Sequence, residues 1–313
     1  MELARQSMAL CHGIGFSPTE RSPFLRLRHG GQWINEPLDE GRTFSLQIGE
    51  TKWCLGYVRM SDDGRRSHHI CPRTKALNSG TQCAACRRLD QTKFMHHFHK
   101  TGEAPEGLRR YLEQPHFLYV ASFANGTTKV GTTSTQSKWT RLVTQGAVSA
   151  RYIARAADGA AIRILEDLVT EHCGLRQQVR QKAKIQGLCS WEHNLDSLES
   201  LNTGQAERAR AFLAAQRGLE GYGITLLDEP WQQPEYGRSV VRAWDDRSLQ
   251  AWPGGLPGRK ISLQLRGVLG QSLMVDTGPE TNLVVLDAAE LKTRSLRVGP
   301  AHFGEQGGQS SLF

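Results

Sequence analysis

Cys83 and Cys86 stand three positions apart, a spacing that turns two thiolates toward one ion. A tetrahedral zinc site built on them needs two more ligands from a separate loop. Cys71 is the natural third. Cys54, in a Cys-x-Gly context suited to a tight turn, is favoured as the fourth over His69, and Cys11, His97 and His99 are the remaining options. Four protein ligands leave no position for water, so such a site folds the chain or docks nucleic acid rather than doing chemistry. A redox Cys-x-x-Cys normally opens a helix after a strand, whereas this pair follows Asn78-Ser-Gly-Thr-Gln82. Cys173 and Cys189 read as ordinary core or helix residues, and His96, His97 and His99 as surface or zinc-shell residues. Seven cysteines are an odd set, and a chain of 313 residues needs no disulfides to fold.

A second group lies downstream. On a helix expected over 160–173, Ile162, Leu165, Val169 and Cys173 share one face, and Glu166 falls on it. A carboxylate there needs a cation such as Arg141, a metal or a solvent cleft. Arg176, Arg180, Lys182 and Lys184 then place cations along a helix expected over 175–188, positioned to grip phosphates, with Trp191 beyond. The glycines at 13, 15, 254, 255 and 258 do not follow a strand and open a helix at phosphate-loop spacing, and no Ser/His/Asp set can be assembled. Trp33-Ile-Asn-Glu-Pro37 is distinctive but carries no mechanism.

The elements that must hold these residues indicate an α+β chain. Alternation over 24–28 and 44–48, a Gly30-Gly31 turn and the Trp53–Tyr57 string suggest an N-terminal antiparallel β region (1–60). Residues 61–114, poor in aliphatic side chains, form a zinc-binding region together with Cys54. Around Asn125-Gly126, the strands 117–123 and 128–132 make a hairpin. A helix capped by Ser137 and ended by Gly146, a strand to Ala156 and the Asp158-capped helix complete a β-β-α-β-α module (115–190). A helical connector (191–228, with a helix over 205–219), a C-terminal antiparallel β module (229–300) and a flexible tail (301–313) follow.

The formal charge is +8 and the sequence pI about 9.3, but the excess is uneven: +5 over 1–115, +6 over 116–190 and −3 over 191–313. A basic half of this kind favours polyanionic partners, nucleic acid (DNA or RNA) first. No apolar run is long enough for a membrane span and Met1 to Phe16 lacks the continuous hydrophobic core of a signal peptide, so a cytoplasmic protein without membrane association is expected. The oligomeric state is open.

Phe117-Leu118-Tyr119, Lys129-Val130-Gly131-Thr132-Thr133, Arg141 and Glu166, in this order of strands and helices, resemble the GIY-YIG endonuclease module. Phe117 stands where the first triplet has glycine, and Lys129 where the second has tyrosine. The resemblance implies a catalytic set of Tyr119 (base or water-orienting group), Lys129, Gly131, Arg141 (phosphate charge) and Glu166 (ligand of one magnesium ion). Over nearly its whole length the chain is also similar to domain-of-unknown-function family 2797. The resemblance rests on Cys54-Leu-Gly56, Cys83-Ala-Ala-Cys86, Pro115-His-Phe-Leu-Tyr-Val120, Lys129-Val-Gly-Thr-Thr133 and Gln145-Gly-Ala147. The expectation is a zinc-containing nucleic-acid-processing protein with a magnesium-dependent phosphodiesterase module. Its alternatives are a non-catalytic zinc-dependent nucleic-acid-binding protein and a zinc-stabilised interaction scaffold.

Overall fold

The computed structural model describes residues 7–301 apart from 97, 191, 220, 222 and 279–282. His97, Trp191 and almost all of the expected tail lie outside the described residues.

Strands from both ends of the chain share one ten-stranded sheet. The N-terminal strands are β1 (Ala9–Phe16), β2 (Pro23–His29), β3 (Gln32–Pro37) and β4 (Thr43–Trp53). The C-terminal ones are β12 (Gln250–Ala251), β13 (Lys260–Leu269), β14 (Ser272–Asp276), β15 (Val284–Asp287) and β16 (Arg294–Gly299). Their order is β12-β15-β14-β13-β4-β16-β1-β2-β3, with the short β7 (Ala76–Leu77) added to β4. The expected N- and C-terminal β segments are therefore interleaved: β4 lies between β13 and β16, with Leu46 opposite Ile261 on one side and Val298 on the other. Alternation explains the register. Leu25, Leu27, Phe44, Leu46, Ile48, Leu263 and Leu265 all enter one core, and a slip of one residue would turn them to solvent.

The central strands β8 (His116–Ser122), β9 (Thr128–Ser134), β10 (Ser149–Ala156) and β11 (Thr225–Pro230) form a second antiparallel sheet in the order β11-β10-β8-β9. The Asn125-Gly126 turn closes its hairpin, with the Gly126 N–H donating to the Phe123 carbonyl. Eight α-helices occur among the described residues, beginning with α1 (Ala84–Leu89), α2 (Phe98–Thr101), α3 (Glu106–Leu112) and α4 (Lys138–Gln145). They continue with α5 (Gly159–Cys173), α6 (Gln181–Leu188), α7 (Leu195–Ala214) and α8 (Glu235–Asp245).

The second sheet is covered on both faces. Leu118, Val120, Val130 and Ile153 pack with Ile162, Leu165 and Val169 of α5 and with Ala206, Ala209 and Leu213 of α7. Phe117, Tyr119, Ala121 and Phe123 point to the opposite face, against Leu142 of α4 and Tyr152. Asp158 caps α5 through the N–H groups of Ala160 and Ala161, and Gly146 and Gly174 end α4 and α5 in left-handed conformation.

β4 ends at Trp53, and Cys54-Leu-Gly56 links it to a separate hairpin of β5 (Tyr57–Met60) and β6 (Arg66–His69). Two local expectations change. The helix expected over 175–188 begins only at Gln181, so Arg176 and Arg180 precede it. The helix expected over 205–219 runs instead from Leu195 to Ala214, its start fixed by a capping box of Asn194 and Ser197.

Candidate functional site

Two sites emerge, a thiol cluster and a group of cations. Cys54 leaves β4, Cys71 follows β6, Cys83 caps α1 and Cys86 lies within it, so the β5–β6 hairpin is clasped between paired thiols. Their four sulfurs lie within 4.8 Å of one another, and Cys71 and Cys83 are 4.0 Å apart. Zinc–sulfur bonds of about 2.3 Å place the sulfurs of a tetrahedral site about 3.8 Å apart, so the donor set fits zinc.

The backbone is already arranged for charged sulfur. Cys54 Sγ accepts from Cys83 N–H at 3.1 Å and from Gly56 N–H at 3.4 Å. Cys83 Sγ accepts from Cys86 N–H at 3.5 Å, and chiefly for that reason its pKa falls to about 7, against the opposing effect of burial. Burial raises the pKa of Cys54 and Cys86, the latter also through the thiols around it. Four thiols this close do not ionise together unaided, and a divalent cation removes the conflict. Gly56 is required at the turn. It has φ +88°, and a Cβ would stand 1.9 Å from the His69 carbonyl oxygen. His69 is not part of the cluster; its ring stacks on Tyr57 and its Nε2 meets Ser67 Oγ at 3.0 Å.

The second group surrounds Tyr119, whose side chain is fully buried. Tyr119 is paired with Gly131 across the hairpin, and its hydroxyl accepts a 2.7 Å hydrogen bond from Gln145 Nε2. Lys129 Nζ lies 5.6 Å from the Tyr119 ring centroid and donates to the Gln177 carbonyl at 3.1 Å. Lys184 Nζ donates to the Gln145 carbonyl at 2.6 Å and sits 4.1 Å from the Phe123 ring centroid. Burial, then Lys129 and Arg141, press the Lys184 pKa down to about 7. For Tyr119, burial opposes ionisation, but Lys129, Arg141 and hydrogen bonds from Gln145 and Arg141 outweigh it, and the phenol shifts downward. Tyr119, Lys129, Gly131, Arg141 and Lys184 are thus brought together by β8, β9, α4 and α6.

Glu166 is not brought to this group. It is buried on α5, which packs against the face of the sheet opposite Tyr119, and its carboxylate is held by Arg163. A metal ion on Glu166 would be separated from the phenol by the sheet. Arg163 and Arg141 nevertheless line one cavity of about 190 Å³ near the end of β9, with Arg66, His116, Thr132 and Ser134. Nothing in the spacing of Arg163 and Arg66 marks them in the sequence. Arg176, Arg180 and Lys182 are exposed. Arg176 belongs to the extended stretch beside β9, where its carbonyl accepts from Val130 N–H at 3.0 Å.

A family model described as a protein of unknown function (DUF2797) matches residues 41–292, and the chain belongs to that family. No curated protein and no solved structure matches the chain. No helix among the described residues is long and apolar enough to cross a membrane.

Proposed function

We propose that the protein is a zinc-dependent nucleic-acid-binding protein that grips the phosphate backbone at the Lys129, Arg141 and Lys184 group and the adjoining cavity of Arg66 and Arg163. The observation that carries this reading is the gathering of three cations, the buried Lys129, the half-buried Lys184 and the exposed Arg141, around Tyr119 and Gln145. Buried amines are costly unless an anion arrives to meet them, and a phosphate supplies both charge and acceptor oxygens. The zinc cluster adds to a segment whose own core is small, built on Met60, Leu108 and Leu112. Titrating labelled DNA and RNA oligonucleotides at several salt concentrations tests the reading. Affinity that falls steeply with salt, and weakens in Lys129→Gln and Lys184→Gln, supports it; salt-independent binding or none overturns it.

Phosphodiester cleavage by a GIY-YIG-like module is the second reading. It is favoured by the approach of Arg141 to the downshifted Tyr119 hydroxyl above Gly131. It requires Glu166 to exchange Arg163 for a magnesium ion. A nuclease assay with magnesium on the same oligonucleotides, in which Glu166→Ala abolishes product without altering the fold, would establish it over simple binding.

A further inference from the structure

Leu25 and Leu27 enter the core of the large sheet, so the residues between and beyond them, Arg26 and Arg28, stand on its other face. There they meet Trp33, with which Arg28 is in register on β3. The Arg26 and Arg28 guanidinium carbons lie 4.1 and 4.8 Å from its ring centroid. His12 of β1 and His68 of β6 complete the cluster: His12 is 4.7 Å from Trp33 and 5.0 Å from His68, and Arg28 Nη1 reaches His68 Nδ1 at 2.6 Å. Two nitrogens here, His12 Nε2 and Arg28 Nε, are buried without any hydrogen-bond partner. Burial, then His68, Arg26, Arg28 and Lys292, push the His12 pKa down to about 3, so the imidazole is neutral among cations.

His12 and Arg28 line a cavity of about 300 Å³ between the first strands and the zinc turn. The same lining includes Trp53, Leu55 and the exposed Ile70, with Cys54 and Cys71 and no Asp or Glu. The lining thus joins a cation and nitrogens without partners to apolar surface. The size is at the lower bound of small-ligand pockets, about 300 to 1,000 Å³, and suits one compact group rather than a peptide helix.

We propose that this cavity takes one unpaired nucleotide of a single-stranded nucleic acid, its phosphate between Arg28 and His12 and its base against Trp53, Leu55 and Ile70. The inference deepens the nucleic-acid reading above and rests on it. Bases stack on such walls whatever their sequence, and the cations track the backbone. The site also gives the zinc cluster a direct role, since two of its ligands help to shape the wall.

Calorimetric titration of the zinc-loaded full chain with adenosine monophosphate, adenosine, inorganic phosphate and a glutamate-rich peptide tests it, beside fluorescence anisotropy with a labelled ten-residue oligothymidylate. The monophosphate is expected to bind at least tenfold more tightly than adenosine, phosphate or peptide. Arg28→Gln and Ile70→Asp should each weaken both monophosphate and oligonucleotide at least tenfold. Ile70 is exposed, so its replacement leaves the fold intact even where Arg28→Gln does not. Equal binding of phosphate alone, preference for the peptide, or no effect of either variant overturns the assignment. Oligonucleotide binding lost in Lys129→Gln/Lys184→Gln but unchanged in Arg28→Gln and Ile70→Asp overturns this site alone and leaves the backbone-gripping reading standing. Monophosphate binding without any oligonucleotide binding overturns both.

Discussion

Gly131 lies directly beneath Tyr119: a Cβ at position 131 would stand 2.4 Å from the phenol oxygen and 2.5 Å from Cζ. The tyrosine is fully buried and its hydroxyl is tied to Gln145, so it has little room to retreat. Gly131→Ala should therefore destabilise the protein by about 1–3 kcal/mol, the usual cost of overpacking. Gly204 provides the contrast. It sits exposed within α7 with nothing within 4 Å of its Cβ position, and Gly204→Ala should stabilise by about 0.5–1 kcal/mol. Thermal melts of the two variants should move in opposite directions.

The thiol cluster leads to a stoichiometry. Purified protein should carry one zinc per chain by elemental analysis, and a strong chelator should lower its melting temperature. Cys71→Ser and Cys86→Ser should each lose the metal, since a hydroxyl is a poor substitute for thiolate at a closed four-sulfur site. Cys189→Ser, outside the cluster, should retain it. Because the β5–β6 hairpin makes a two-stranded sheet of its own, metal loss should release amide protons there before it affects the large sheet.

Much of this architecture is written locally. Asn125-Gly126, the Asp158 cap and the glycines ending α4 and α5 act within a few residues, and the Cys-x-Gly and Cys-x-x-Cys spacings are turn geometries that need no partner to be read. What escapes is non-local or disguised. The interleaving of β4 with β13 and β16 depends on residues more than 200 positions apart, for which no single segment carries a signal. Helix α8 lies inside the stretch 229–300 expected to be β: Gly237, Val240 and Val241 have low helix propensity, and burial of Val240, Val241 and Trp244 overrides it. Lys184 resembles its neighbour Lys182 in sequence, yet Lys182 is exposed and Lys184 is folded inward onto Gln145. The Trp33 string acquires meaning only when β2 sets Arg26 and Arg28 against it.

Lys184 also sets a pH dependence. Its folded-state pKa, near 7, lies below the ordinary value of 10.5, so between those limits the unfolded chain binds the extra proton. Its contribution should make stability rise with pH from about 7 toward 10.5. Below pH 7 both states are protonated, and the cost of the buried cation is fully felt. Lys184→Met should flatten the rise in chemical denaturation curves. Polyanion binding should run the opposite way, strengthening as pH falls from 8 to 6 and the amine becomes charged, with that part of the dependence missing in the variant.

Arg163 and Glu166 separate a structural from a catalytic glutamate. The carboxylate side chain is 4% exposed and the guanidinium 18%. Removing one partner of a buried pair strands the other charge, at a cost of about 3–5 kcal/mol, whereas removing both charges together can be close to neutral. Arg163→Met should therefore be strongly destabilising, because the carboxylate left behind is the more deeply buried of the two. Glu166→Gln should cost less, since the amide still accepts from Arg163 and the guanidinium keeps partial access to solvent. The Arg163→Met/Glu166→Leu double variant should recover much of the loss, a coupling that denaturation of the unaltered protein, Arg163→Met, Glu166→Leu and the double variant measures directly. The same set interrogates function: if the pair is structural, nucleic-acid affinity in the double variant should fall only by what Arg163 contributes to the cavity. A magnesium-dependent cleavage that disappears in Glu166→Gln, with the melting temperature retained, would instead assign the carboxylate to the metal.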